Sequence, residues 1–216
     1  MTSTNASPHP EVDVAALPLC DAAARVAVYG GSFDPPHLGH ACVILAALLT
    51  GRFDQIWVVP SCAHPSNKTL APFELRLRLC ALACSHFTEN VHVVDIESRL
   101  AQPNYTAETV RFIRRHKPSL HLTLLLGSDA FSSLCTWQNF EYLVAECDFL
   151  LIPRASYPLA ATPGDAARRT TCLPFLLPDI SSTAIKNELG ESRTSAWLDS
   201  RVLQEIYDAA AYQKNE

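Results

Sequence analysis

Short apolar runs alternate along the chain with stretches whose apolar residues recur every three or four positions. The runs at 26–29, 54–59, 91–95, 121–126 and 148–152 are rich in Val, Ile and Leu and end on Gly, Pro or polar residues. That is the pattern of strands buried on both faces. Helical spacing fills 37–49, 72–85, 105–116 and 140–145, a stretch opening near 182, and a last one at 200–212. Strands alternating with helices predict a parallel sheet covered on both sides. Right-handed crossovers then give a Rossmann-like, doubly wound α/β fold in a single domain. Ligands of such folds sit beyond the carboxyl ends of the strands, so the loops after Tyr29, Val59, Leu126 and Ile152 are expected to line one site. Residues 1–24 show no period and read as a flexible leader, with the folded domain at 25–216. The stretch 160–169 reads as a surface loop.

Composition narrows the function classes. Of 216 residues 48% are hydrophobic, enough for a full core, and the net charge of −5 argues against a broad electrostatic grip on nucleic acid. Any phosphate must be held by a local site. Eight cysteines are present without a C-x-x-C pair, so no zinc site and no metal-ligand cluster is expected. Cys42, Cys80 and Cys84 lie in apolar runs and read as buried thiols. The apolar run 41–49 is too short to cross a bilayer. Residues 1–24 carry Glu11 and Asp13, no arginine and no secretory pattern, so a cytoplasmic protein with reduced thiols is expected.

The first run enters Gly30-Gly31-Ser32-Phe33-Asp34-Pro35-Pro36-His37-Leu38-Gly39-His40. Two glycines let backbone N–H groups approach a ligand closely, and the following helix adds its positive end. Proline suits the first helical turn, so Pro35-Pro36 is expected to open that helix. His37 and His40, three apart, share one face of its first turn, with Gly39 leaving room between them. Two imidazoles there suit phosphate oxygens and the charge that develops during nucleotidyl transfer. Further on, Ile180-Ser181-Ser182-Thr183-Ala184-Ile185-Lys186 opens another helix with capping hydroxyls, and Lys186 lies one turn in.

The first stretch resembles the H-x-G-H nucleotidylyltransferase superfamily, and more closely the bacterial nicotinate-nucleotide adenylyltransferases, whose first loop reads much like this one. The second resembles the superfamily's I-S-S-T-x-I-R signature, with Lys186 where arginine is usual. The resemblance covers 25–216. It implies transfer of AMP from ATP to nicotinate mononucleotide, with release of pyrophosphate and Mg²⁺ accompanying the ATP. It places His37, His40 and Lys186 at the triphosphate. Gly30, Gly31, Ser32 and Phe33 offer N–H groups to ATP, and Ser182 and Thr183 hold its outer phosphates. Gly127-Ser128-Asp129 matches a G-x-D turn that meets ribose, and Arg154 follows a strand where the family has Arg-Pro. On the acceptor side, Lys68 matches a lysine that meets the acceptor's phosphate. Pro103-Asn104-Tyr105-Thr106 matches P-S-Y-T beside the pyridine ring, and Trp137 a tryptophan stacked on it. Arg76 matches a family arginine, or is a solvated helix charge.

The acceptor phosphate then attacks the α-phosphate of ATP in line, and no protein nucleophile is needed. Sister enzymes using nicotinamide mononucleotide, phosphopantetheine, or a phosphorylated alcohol with CTP remain alternatives, as does a nucleotide-binding regulatory module without turnover. Oligomeric state is not legible.

Overall fold

Six strands, all parallel, form one sheet in the order β3-β2-β1-β4-β5-β6. They are β1 (Arg25–Gly31), β2 (Gln55–Pro60), β3 (Val91–Val93), β4 (His121–Gly127), β5 (Cys147–Ile152) and β6 (Thr170–Cys172). The computed structural model describes residues 17–63, 69–87, 89–155, 166–192 and 194–212. The helices are α1 (Leu38–Leu49), α2 (Phe73–Cys84), α3 (Thr106–His116), α4 (Ser128–Ser132), α5 (Phe140–Glu146), α6 (Ala166–Arg169), α7 (Ser182–Ser192) and α8 (Ser200–Asp208). The fold is doubly wound α/β, as the alternation predicts. The strand order reverses direction between β1 and β4, which is where such sheets open a crevice.

Alternate residues of β1 explain why the sheet needs cover on both faces. Val26 and Val28 enter a core with Trp57, Leu122, Leu124, and Val110 and Ile113 of α3. Ala27 and Tyr29 enter the opposite core, with Ile56, Val58, and Val43 and Ile44 of α1. A third cluster joins α2 to α7 and α8 through Leu75, Leu79, Ile185, Leu189, Val202 and Ile206. Among the described residues, no helix is long and apolar enough to cross a membrane.

Several expectations shift. Pro35 and Pro36 precede α1 instead of opening it, and His37 caps the helix from extended backbone (φ −150°, ψ 173°). The last helix stops at Asp208, short of 212. α4 and β6 were not anticipated: each spans five residues or fewer, too short to show a period. Of the stretch read as a surface loop, 160–165 lie outside the described residues and 166–169 form α6, with Ala166 buried. Cys80 and Cys84 are buried as expected, whereas Cys42 is half-buried.

Residues 1–16 of the leader lie outside the described residues. Its remainder touches the domain. Leu17 and Cys20 pack against the β1–β4 core, Ala24 is buried, and Gln55 Nε2 donates to the Leu19 carbonyl at 2.7 Å. A chain beginning at residue 25 should therefore melt below one beginning at residue 17. Loss of about 1 kcal/mol of apolar contact corresponds to about 2–4 °C for a domain of this size. Equal melting temperatures in calorimetry would show that these contacts add nothing.

Candidate active site

A cleft of about 680 Å³ opens at the carboxyl ends of the central strands. One wall is the β1 loop: Gly30, Gly31 and Ser32, then His37 and His40 at the start of α1. Phe33 lies beneath this wall, 1% exposed, with its ring edge-on to Tyr29 and 4.8 Å from the His40 ring. The two imidazoles face each other with centroids 3.8 Å apart. Gly39 makes this possible, because a Cβ there would lie 2.9 Å from the His37 ring. The backbone N–H of His37 donates to Nδ1 of His40 at 3.1 Å. That bond fixes the neutral His40 tautomer with its proton on Nε2, leaving a donor for a ligand.

The electrostatics favour an arriving anion. Burial, aided by the positive charge of Arg154, pushes the His37 imidazole down to about 4. Burial, His37 and Arg154 together hold His40 well below its ordinary value. Both rings are therefore neutral donors at pH 7 in the free protein. Arg154 lines the cleft after β5, and its N–H donates to Ser128 Oγ at 3.0 Å, which joins the ends of β4 and β5. Asp129 stands in the first turn of α4 on the same wall. Glycine at 127 leaves room for the Asp129 carboxylate, since a Cβ there would lie 2.4 Å from its Oδ1 and displace it. Ser182 and Thr183, at the start of α7, close this end, and Ser182 Oγ donates to the Pro35 carbonyl at 3.0 Å.

The other end is built from the start of α3 and the segment after α4. Tyr105 caps α3 from extended backbone and Thr106 is its first residue, so α3 turns unpaired N–H groups toward the cleft. Trp137 lines the same end, half-buried, its Nε1 donating to Ser133 Oγ at 3.3 Å. Asn104 is 2% exposed and its Nδ2 donates to the Glu97 carbonyl at 3.2 Å. Lys68 lies outside the described residues.

Lys186 does not line the cleft. Its Nζ is 2.7 Å from Oδ2 of Asp34, a carboxylate only 1% exposed. Asp34 Oδ1 also accepts from the Tyr212 hydroxyl at 2.7 Å and from the Ala71 N–H at 3.2 Å. Burial alone would raise the Asp34 carboxyl, but the bonds from Lys186, Tyr212 and Ala71 hold it below its ordinary value. Arg76 is not a solvated charge: it is fully buried among backbone carbonyls.

Sequence reasoning missed Glu97, Ser61 and Thr109, which line the cleft together with Ser181. Glu97 is 7% exposed and burial pushes its carboxyl up to about 7, against the pull of the Cys62 N–H, the Thr109 hydroxyl and the Arg76 charge. A lone Glu after a three-residue strand carries no motif that would have found it. Ser181, whose Oγ accepts from the Ala184 N–H at 3.1 Å, was legible as a cap.

A model of the cytidylyltransferase-like family matches residues 28–188. Thermus thermophilus has a "Probable nicotinate-nucleotide adenylyltransferase" 31% identical over 185 residues, 85% of this chain and 95% of that protein. A relative of the same name from Anaeromyxobacter dehalogenans is 30% identical over 193 residues, covering 88% and 97%. Among solved structures, the nicotinic acid mononucleotide adenylyltransferase of Plasmodium falciparum, complexed with NaAD, superposes with a TM-score of 0.73. It is 20% identical over 88% of this chain and 97% of that one, a likeness of fold.

Two measurements follow from the electrostatics. His37 should titrate at about 4 in NMR spectra of the free protein, and its midpoint should rise when a triphosphate binds, because the anion favours imidazolium. A free-protein midpoint at the ordinary histidine value would show that the ring is solvated. Removing the Asp34 partner tests the second site. Because the Asp34 carboxyl is held below its unfolded value, its contribution is present above that value and is lost only as pH falls through the folded one. Lys186→Met leaves a buried carboxylate short of its counter-charge and should cost about 2 kcal/mol at pH 7, less than a fully buried pair because Lys186 is partly exposed. The cost should shrink at pH 5, where the stranded carboxyl takes up a proton. A pH-independent loss in denaturant titrations would contradict this.

Proposed function

The chain belongs to the cytidylyltransferase-like family, and on that premise we propose that it transfers AMP from ATP to nicotinate mononucleotide, releasing pyrophosphate and forming nicotinate adenine dinucleotide. One observation carries the reading. A single cleft holds two neutral imidazoles and Arg154 at one end, and a helix N-terminus with Trp137 at the other. The relatives in Thermus thermophilus and Anaeromyxobacter dehalogenans carry the same activity in their names, over nearly their whole length.

ATP lies along the β1 loop. N–H groups of Gly30, Gly31, Ser32 and Phe33 meet its phosphates, as do the first-turn N–H groups of Ser182 and Thr183. Asp129 accepts from a ribose hydroxyl beside Gly127. His37 and His40 donate to the triphosphate, and the negative charge raises their proton affinity as the pyrophosphate leaves. Arg154 supplies the fixed positive charge on this wall. Lys186 acts on the triphosphate at one remove, by holding Asp34 and thus the β1 loop. At the far end the pyridine ring stacks on Trp137, and its carboxylate accepts from N–H groups at Tyr105 and Thr106. Asn104 backs that segment, and Lys68 meets the acceptor phosphate.

Mg²⁺ would accompany ATP through its phosphates, where it would neutralise part of their charge. Among the described residues no three His, Cys, Asp or Glu side chains are grouped to hold a metal. With both substrates held, the acceptor phosphate attacks the α-phosphate in line. The protein's part is alignment and charge stabilisation. The expected setting is the cytoplasm.

Pyrophosphate release measured with ATP and a panel of phosphorylated acceptors tests the assignment. Nicotinate mononucleotide should exceed nicotinamide mononucleotide by at least about tenfold in kcat/KM, a difference of about 1.4 kcal/mol. His40→Ala should lower kcat about 10²–10³-fold, the scale for losing one oriented donor, with little change in melting temperature. Equal use of both acceptors would move the assignment to a sister enzyme, and a near-normal kcat in His40→Ala would remove that histidine from the chemistry.

A further inference from the structure

Cys62 lies just past the end of β2, in the loop that leads away from the cleft lining at Ser61. Its peptide is gripped from both sides. The N–H donates to Glu97 Oε2 at 3.0 Å, and the carbonyl accepts from Arg76 Nη2 at 3.3 Å. Each grip reaches further. Arg76 Nη1 donates to the Ser32 carbonyl at 2.7 Å and Nε to the Ala71 carbonyl at 2.9 Å. Glu97 Oε1 accepts from Thr109 Oγ1 at 3.2 Å, and the Glu97 backbone carbonyl holds Asn104 Nδ2. One continuous chain of bonds thus runs from the β1 loop, through Cys62, to the segment that opens α3.

We propose that Arg76 and Glu97 are positioning residues that clamp the Cys62 peptide and so set the acceptor end of the cleft against its ATP end. The proposal rests on the acceptor assignment made above. Three observations separate a clamp from ordinary core polarity. Arg76 is fully buried, yet among the described residues no carboxylate lies within ion-pair distance of it. A buried guanidinium is costly unless its donors are used, and these are used on carbonyls of three separate segments at the site. Glu97 is buried but lines the cleft, so it sits between the Cys62 peptide and the bound acceptor. Finally, among the described residues neither one hydrogen-bonds to His37 or His40, the groups assigned to charge stabilisation, and Arg76 meets their wall only at the Ser32 backbone carbonyl. The groups acting on the Glu97 carboxyl are the Arg76 charge from α2, the Cys62 N–H and the Thr109 hydroxyl of α3.

Steady-state pyrophosphate release by the full chain, with each substrate varied at saturating levels of the other, tests the clamp. Glu97→Ala should raise the KM for nicotinate mononucleotide at least about tenfold, with the KM for ATP within about twofold and kcat little changed, as expected for a ground-state positioning defect at one substrate. Glu97→Gln should stay near the parent, because its amide oxygen accepts from Cys62 and its NH₂ donates to Thr109 Oγ1. Thr109→Val removes one tether without emptying the core and should raise the acceptor KM about threefold. Should Glu97→Ala fail to fold, Thr109→Val decides: an unchanged acceptor KM overturns the clamp. So does a Glu97→Ala enzyme in which both KM values rise alike, or neither does. A Glu97→Gln enzyme as impaired as Glu97→Ala also overturns it, since the carboxylate charge would then act on the acceptor directly. A parent chain inactive with every mononucleotide would defeat the proposed function itself, a result distinct from any variant effect.

Discussion

The carboxylate of Asp34 is the constraint on which the site depends. It is nearly inaccessible to water, and burying such a charge is tolerable only if every oxygen is bonded. The bonds come from Ala71 just ahead of α2, from Lys186 in α7 and from Tyr212 beyond α8. The loop, which carries two glycines and two prolines, is held besides by Arg76 at the Ser32 carbonyl and by Ser182 at the Pro35 carbonyl. Here it is pinned at Asp34, three residues before His37, by segments from distant parts of the chain. The capping geometry of His37, the stacking of the two imidazoles and the glycine between them all lie downstream of that pin.

Local charge then compensates for global charge. The chain is net negative, so a triphosphate is not drawn by the protein as a whole. The cleft answers with Arg154, with helix N-termini at α1 and α7, and with two histidines kept neutral by burial. Neutral imidazoles cost little to bury and still donate hydrogen bonds, and they gain positive character when an anion arrives. A lysine or arginine in place of either histidine would put a permanent charge beside Arg154 in the empty site. On the proposed assignment, the arrangement defers the charge until a phosphate binds.

How much of this the sequence discloses depends on the range of the interaction. β1, its glycine turn, the histidine pair and the Ser181 cap are encoded within a dozen residues each, and they were legible. The alternation of strands and helices carried the sheet and the location of the cleft, because both follow from burial on two faces. Spacing put Lys186 one turn into α7 and within reach of the phosphates, but did not disclose its bond to Asp34, 152 positions away. Arg76 and Glu97 were opaque for the same reason. One read as a match of unknown role or a surface charge, the other was unremarked, and their partners are backbone groups that no residue pattern reveals. β6 is three residues long and takes its strand conformation from β5.

That division has a chemical logic. In-line transfer between two bound phosphates asks the protein for no nucleophile and no general base, only for two substrates held at the correct distance and angle. On the proposed assignment the residues that touch phosphate can then be few and local: a glycine turn, two imidazoles, a guanidinium, a capped helix. The alignment itself is the harder requirement, since the β1 loop, the β2 loop and the start of α3 belong to three different crossovers of the sheet. Buried polar side chains that would be a burden in an ordinary core become useful at that junction, because a hydrogen bond to a backbone carbonyl or N–H fixes a loop in direction as well as in distance. Asp34, Arg76 and Glu97 each bond to the backbone of a segment remote in sequence. The chemistry of this site is therefore written in short motifs, and its geometry in the buried polar groups between them.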